Sequence, residues 1–269
     1  MTIDQASTVA LIGLIAGTLG GIAGVGGSVL ILPALHIVFS PFLFGESPDP
    51  QIHHAFMAAG MTVNVAVSIP AAWRHHRQGA VRTSILPRLI LSHLLAIVIG
   101  VQLSNLLSGG ALQILLAVAL MLYCFWNLRM LARPRRRNFD GTGRVERAST
   151  PRLAACGFST GLLGGVLGLG GGFLLVPFLQ LLCNLRLKNA IATSSAVLCL
   201  TAGVGATLKL ATLYQHDQSV AHALSLAACM APTGILGGWL GAKWVHKMPV
   251  AAVRLVMTGL ILLAATKIL

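Results

Sequence analysis

Few residues of this chain could do chemistry, and most of them are glycines. Gly24, Gly26 and Gly27 stand within four residues and precede Ser28; Gly168, Gly170 and Gly171 repeat the spacing 144 positions later and precede Gly172. Glycine clusters of this kind let a ligand approach the main chain and leave backbone N–H groups to hold it. Asn64 and the triplet Thr193-Ser194-Ser195 add amide and hydroxyl donors, and His93 and Lys209 are ionisable groups set in apolar runs. The chemistry open to such a set is capture of a small anion, mainly by N–H groups and hydroxyls. The 6 acidic residues all fall outside the apolar runs, which disfavours an intramembrane enzyme.

Both clusters sit inside a longer repeat. Residues 17–35 and 161–179 share six glycines and one proline in register: Gly17/Gly161, Gly20/Gly164, Gly21/Gly165, Gly24/Gly168, Gly26/Gly170, Gly27/Gly171 and Pro33/Pro177. Each glycine costs about 1 kcal/mol relative to alanine inside a helix. The apolar run from Val9 to Phe39 exceeds the roughly 20 residues of one upright span,. It therefore reads as two half-helices, about Val9 to Ala23 and Ser28 to Phe39, meeting near the middle of a bilayer. Unwound backbone at that depth must be buried in protein or line a polar cavity. The plainer reading, small residues that let helices pack closely, is weakened because the pattern occurs twice.

Composition fixes the class. Of 269 residues 56% are apolar and 9% charged, with a mean hydropathy of +0.84; soluble domains carry about 25% charge. The fold class expected is an all-α polytopic membrane protein of about eight apolar segments, in the cytoplasmic (inner) membrane, with the lipid bilayer as its main partner. Cys124, Cys156, Cys183, Cys199 and Cys229 form no C-x-x-C pair and read as packing thiols,. No cofactor and no metal site is indicated. The N-terminus has no Lys or Arg before its apolar run, which makes it a poor signal peptide,. The net charge of +13 comes from short loops, with eight arginines between Arg129 and Arg152 and four more at Arg74, Arg77, Arg82 and Arg88. That is the mark of cytoplasmic loops, and nucleic acid is not expected as a partner.

The chain divides into a first transmembrane repeat (1–132), a basic cytoplasmic linker (133–151) and a second transmembrane repeat (152–269). Helices are expected near His54–Trp73, Ile85–Leu107, Ala111–Leu131, Ala190–Leu213, Ala221–Trp244 and Val250–Leu269, with a second broken segment at Leu153–Leu182. If each broken segment crosses the membrane once, the repeats are parallel and 14 of the 19 basic residues lie inside; if each turns back as a re-entrant hairpin, the repeats are inverted and 17 lie inside. The positive-inside rule prefers inversion. Inverted repeats with discontinuous helices are a transporter plan with the site at the midplane, and helix N-termini starting at Ser28 and near Gly172 would be anion sites.

The doubled motif G-x-x-G-G-x-x-G-x-G-G, each copy followed by an apolar run and proline, resembles the sulfite exporter TauE/SafE family of permeases. So do Ala190-Ile191-Ala192-Thr193-Ser194 and His75-His76-Arg77-Gln78-Gly79-Ala80-Val81. The resemblance covers nearly the whole chain. It implies secondary transport of small sulfur-containing or organic anions such as sulfite, sulfonates or sulfoacetate; an anion channel is the alternative. The substrate-binding residues expected are Gly24, Gly26, Gly27, Ser28, Asn64, Gly168, Gly170, Gly171, Gly172, Thr193, Ser194 and Ser195. The first half departs from the pattern with Ala58-Ala59-Gly60 where Thr-Ser is expected, which throws weight onto Thr62, Asn64 or the second half. A homodimer is left open. His93 is either a proton or charge relay or a neutral histidine satisfied by a neighbouring helix. Lys209 is expected to snorkel to the interface, with a gate-lining cation as the alternative. His53-His54 and His75-His76 read as solvated interfacial pairs. Gly157-Phe158-Ser159-Thr160-Gly161 matches a nucleophile elbow but lacks the preceding strand.

Overall fold

The computed structural model describes residues 3–39, 49, 51–132 and 149–244, with 255, 258, 259 and 262 singly. The arginine-rich linker and most of 245–269, including the last expected helix, lie outside the described residues. What is described is all helical, with no strand among the described residues: α1 (Ile3–Ala23), α2 (Ser28–Val38), α3 (Ile52–Arg77), α4 (Leu86–Asn105), α5 (Gly109–Ala132), α6 (Thr150–Val166), α7 (Gly172–Leu182), α8 (Leu187–Ala211) and α9 (Val220–Trp244). Six are long and apolar enough to cross a membrane: α1, α3, α4, α5, α8 and α9. The chain is a multi-pass membrane protein.

Glycine stripes set the helix pairing. A Cβ on Gly13, Gly17 or Gly21 of α1 would lie 2.5 Å from the carbonyl oxygen of Met230, Gly234 or Gly238 of α9. Both numbers rise together, so α1 and α9 run parallel at backbone contact. On the other side Gly161 and Gly165 of α6 press on the carbonyls of His93 and Ile97 of α4 in the same parallel sense. Without side chains in the seam the backbones approach closely enough for dispersion to hold them in lipid. The central helices α3 and α8 run antiparallel, with His54 beside Lys209 and Met61 beside Gly205.

Between these pairs the two short helices fold back. A Cβ on Gly60 of α3 would meet Leu32 and Ser28 of α2, while His36 lies beside His53, so α2 runs antiparallel to α3. Each glycine break is thus a tight hairpin turn. Gly26 (φ 79°) and Gly170 (φ 68°) hold left-handed backbone that an L side chain resists,. The bounds of α7 are those of α2 displaced by 144 residues (28 to 172, 38 to 182). The first helix starts at Ile3, six residues before the expected Val9, because Asp4 and the polar turn join it.

Burial explains the remaining faces. Leu91, Leu95, Ile99 and Leu103 form an exposed stripe on α4, whereas His93, Ile97, Gly100 and Ser104 are buried. On α5, Leu112, Leu116, Leu120 and Cys124 point into the core, and Ile114, Val118, Leu122 and Phe125 point out. Such apolar exposure is what a lipid contact requires. Cys156 and Cys183, far apart in the chain, lie with their free thiols against each other. At one end Arg82 donates to the Asn189 side-chain oxygen through Nη2 (2.8 Å) and Nε (3.0 Å), and Arg74 and Lys243 share the face of Trp239. The loops before α4 and α8 and the end of α9 therefore gather on the same side.

Candidate functional site

The two glycine breaks meet beside the middle of the central helices. Asn64, the thirteenth of the 26 residues of α3, stands between them. Its Oδ1 accepts from the Ser28 backbone N–H (2.9 Å), and its Nδ2 donates to Ser28 Oγ (2.7 Å) and to the Leu169 carbonyl (3.2 Å). Ser28 Oγ itself donates to the Leu169 carbonyl (3.0 Å). One amide thus caps the N-terminus of α2 and ties it to the opposite break, with Ser28 and Asn64 both buried. The glycines make room: a Cβ on Gly26 would stand 2.6 Å from Asn64 Oδ1, on Gly170 3.2 Å from Nδ2, and on Gly172 2.7 Å from the Val25 carbonyl.

The hydroxyl triplet divides. Ser194 Oγ donates to the Gly24 carbonyl (2.8 Å), so it belongs to the junction. Thr193 Oγ1 instead accepts from the Arg82 N–H (3.2 Å), in the loop before α4. Ser195 donates back to Ile191 within its own helix, as Thr62 does to Ala58. Successive helical residues point about 100° apart, so the three hydroxyls cannot share one target. The Ala58-Ala59-Gly60 departure has a packing cause, because α2 seats on it: a Cβ at Gly60 already lies 2.6 Å from Leu32.

His93 serves the second break. Its Nε2 lies 3.1 Å from the Gly170 carbonyl and its Nδ1 3.3 Å from Thr160 Oγ1, which in turn reaches the Cys156 carbonyl (2.7 Å). A carbonyl only accepts, so Nε2 carries a proton. The threonine hydroxyl can donate to Nδ1 of a neutral ring, or accept from a protonated ring while donating to Cys156. The site is complete in both protonation states.

Lys209 corrects the expectation of snorkelling. It is fully buried, and its Nζ donates to His54 Nδ1 (2.8 Å), Ser104 Oγ (2.9 Å) and Asn105 Oδ1 (2.7 Å). The reason is supply: three acceptors on α3 and α4 match three ammonium protons. The histidine pairs also differ from expectation. His53, His54 and His75 are fully buried because α3 extends over Ile52–Arg77 and carries them into helix contacts; only His76 of the four is exposed. His53 faces His36 (2.7 Å) and His54 stacks on His216. Ser159 of the elbow-like motif donates to Ala155 of its own helix. Among the described residues no group of three or more His, Cys, Asp or Glu is arranged to hold a metal.

The relatives of this chain carry the name of probable membrane transporter proteins. The chain is similar to the probable membrane transporter protein YunE of Bacillus subtilis (strain 168), at 26% identity over 96% of this chain and 95% of that one. It is also similar to the probable membrane transporter protein MamO of Paramagnetospirillum magneticum (strain ATCC 700264 / AMB-1), at 24% identity over 96% of this chain but 44% of that longer protein. No solved structure matches it. With six span-capable helices and such relatives, the chain is a multi-pass inner-membrane transporter. The family model described as Sulfite exporter TauE/SafE matches residues 9–268, and the chain belongs to that family.

Proposed function

We propose that the protein is a secondary transporter of small anions, sulfite or an organosulfonate among them, and that it holds the anion between the two glycine breaks. The observation carrying this reading is the meeting of the α2 and α7 starts beside Asn64 and Leu169. A helix N-terminus favours negative charge by its dipole and free N–H groups. In the present arrangement Asn64 Oδ1 occupies the position at Ser28 N–H that an anion oxygen would take, while Nδ2 and Ser28 Oγ supply further donors. Binding would exchange the amide oxygen for the anion and loosen the tie to Leu169. That tie spans the two halves, so its breakage couples occupancy to movement.

The repeats are read here as inverted. In support, α1, α3 and α9 run one way and α4, α6 and α8 the other, so each element of the first half opposes its counterpart in the second. Each first helix also packs on the third helix of the other half, α1 on α9 and α6 on α4. Two such halves can rock against one another about a fixed central site.

The test is flux. Purified protein in proteoliposomes should move sulfur-labelled sulfite faster than protein-free vesicles, with accumulation against a gradient when a pH difference is imposed. Flux that only ever dissipates the anion gradient points to a channel, and no anion flux with any sulfur oxyanion or sulfonate refutes the reading.

A further inference from the structure

At the end of the molecule away from Arg82 and Asn189, four elements bring basic and amide groups together below the surface. The start of α3 gives His53 and His54, the end of α4 gives Ser104 and Asn105, the end of α8 gives Lys209, and the turn at Leu213–His216 gives His216. The partners of Lys209 are all neutral, so among the described residues the buried ammonium has no counter-ion in contact. An ammonium can only donate, so His54 Nδ1 must accept and the ring proton stands on Nε2. That Nε2 is buried and faces the Leu107 backbone carbonyl, which takes its proton. Asn105 differs. Its Oδ1 accepts from Lys209 (2.7 Å) and Thr212 Oγ1 (3.4 Å), which leaves Nδ2 a buried donor without an acceptor. Asp217 follows His216 and is exposed to solvent.

We propose that Lys209 and Asn105 form a second anion site that takes a small oxyanion, one oxygen meeting Asn105 Nδ2–H beside the Lys209 charge. A buried donor without an acceptor is costly, as is a buried charge without a counter-ion, and one doubly or singly charged oxyanion answers both. The site is distinct from the glycine junction. Lys209 lies eleven residues beyond Leu198 on α8, about 16 Å along the helix,. It stands where an anion would pause on its way to or from the junction, and it does not depend on the junction binding one.

The probe is sodium sulfate, titrated calorimetrically into the full-length protein in detergent against sodium chloride at equal ionic strength. Wild type should bind sulfate, and Lys209→Gln and Asn105→Asp should each weaken it by about tenfold or more. Asn105→Asp supplies an internal carboxylate to Lys209 and should preserve the fold, so it decides the matter where Lys209→Gln fails to elute as a single species. Asn64→Leu should leave this sulfate binding in place. Wild-type affinity in Asn105→Asp, no sulfate binding by wild type, or loss confined to Asn64→Leu would each overturn the second site, the last by assigning the binding to the junction.

Discussion

Replacing Asn64 with leucine removes the polar groups that join the two breaks while keeping the branching of the side chain. Three hydrogen bonds go: from Ser28 N–H, to Ser28 Oγ and to the Leu169 carbonyl. Their costs differ. The Leu169 carbonyl keeps the Ser28 hydroxyl as donor, so it is not orphaned. Ser28 N–H opens α2 and loses its acceptor, and a buried donor left unpaired costs about 1–3 kcal/mol. Stability should fall by about that amount, which overlaps the range of about 0.5–2 kcal/mol for loss of a helix cap. If Nδ2 also donates to a bound anion, a lost hydrogen bond to charge, about 1.5–3 kcal/mol, means roughly ten- to hundred-fold weaker binding at the junction. Thermal unfolding in detergent reads the first effect and proteoliposome flux against sulfite concentration reads the second. Ser28→Ala removes the hydroxyl of the same network, so the double variant should cost less than the sum of the singles. Unchanged flux and apparent affinity in Asn64→Leu, or strict additivity with Ser28→Ala, would refute the assignment of these two side chains to one binding unit.

Further outcomes follow from the same geometry. Gly26→Val and Gly170→Val should abolish transport while the protein still reaches the membrane, since both positions hold positive φ and face Asn64,; normal flux in both would return these glycines to ordinary packing. Ser194→Ala should weaken anion binding by about tenfold through the Gly24 carbonyl it holds, whereas Thr193→Val should act on the Arg82 loop and leave affinity within about twofold,; equal losses would show that the triplet acts as a unit. Single cysteines at Gln78 and Lys188, in a background lacking the five natural thiols, should be labelled by an impermeant maleimide from one side, and those at Ser108 and Gln218 from the other; Gln78 and Lys188 on opposite sides would sink the inverted arrangement.

The sequence carries those features that depend on local pattern. Hydropathy marks the six long helices, and the paired glycines mark where α2 and α7 begin, at Ser28 and Gly172. Features that depend on which faces meet are less legible. Asn64 stands out as a polar residue in an apolar run, but its tie to Leu169 joins positions 105 apart and needs the register of α3 against both breaks. Lys209 shows the limit most plainly. A lysine near the end of an apolar helix looks like one that reaches for water, and nothing in its neighbourhood along the chain announces Ser104 and Asn105 on another helix. The turning of Thr193 away from Ser194 is the opposite case, since helical spacing alone forbids three adjacent residues from facing one target.

The two breaks share a shape and differ in what they present. Gly24 and Gly26 match Gly168 and Gly170 in backbone sign, but Gly171 is left-handed (φ 81°) where its counterpart Gly27 is not (φ −82°). The polar partners differ as well. Asn64 reaches both breaks, whereas Leu198 lies against Gly170 and Gly172 of the second; His93 lies beside the seam with Gly161 where Gly234 lies beside Gly17. The first break therefore offers a donor, Ser28 N–H, to an acceptor that can be exchanged. The second offers carbonyls, Leu169 and Gly170, each already held by donors from Asn64, Ser28 and His93. Bare carbonyls would repel an anion in a water-poor setting, where charge interactions are strong. If the first break holds negative charge, as proposed above, then His93 by covering Gly170 and Ser194 by covering Gly24 remove the carbonyls that would oppose it.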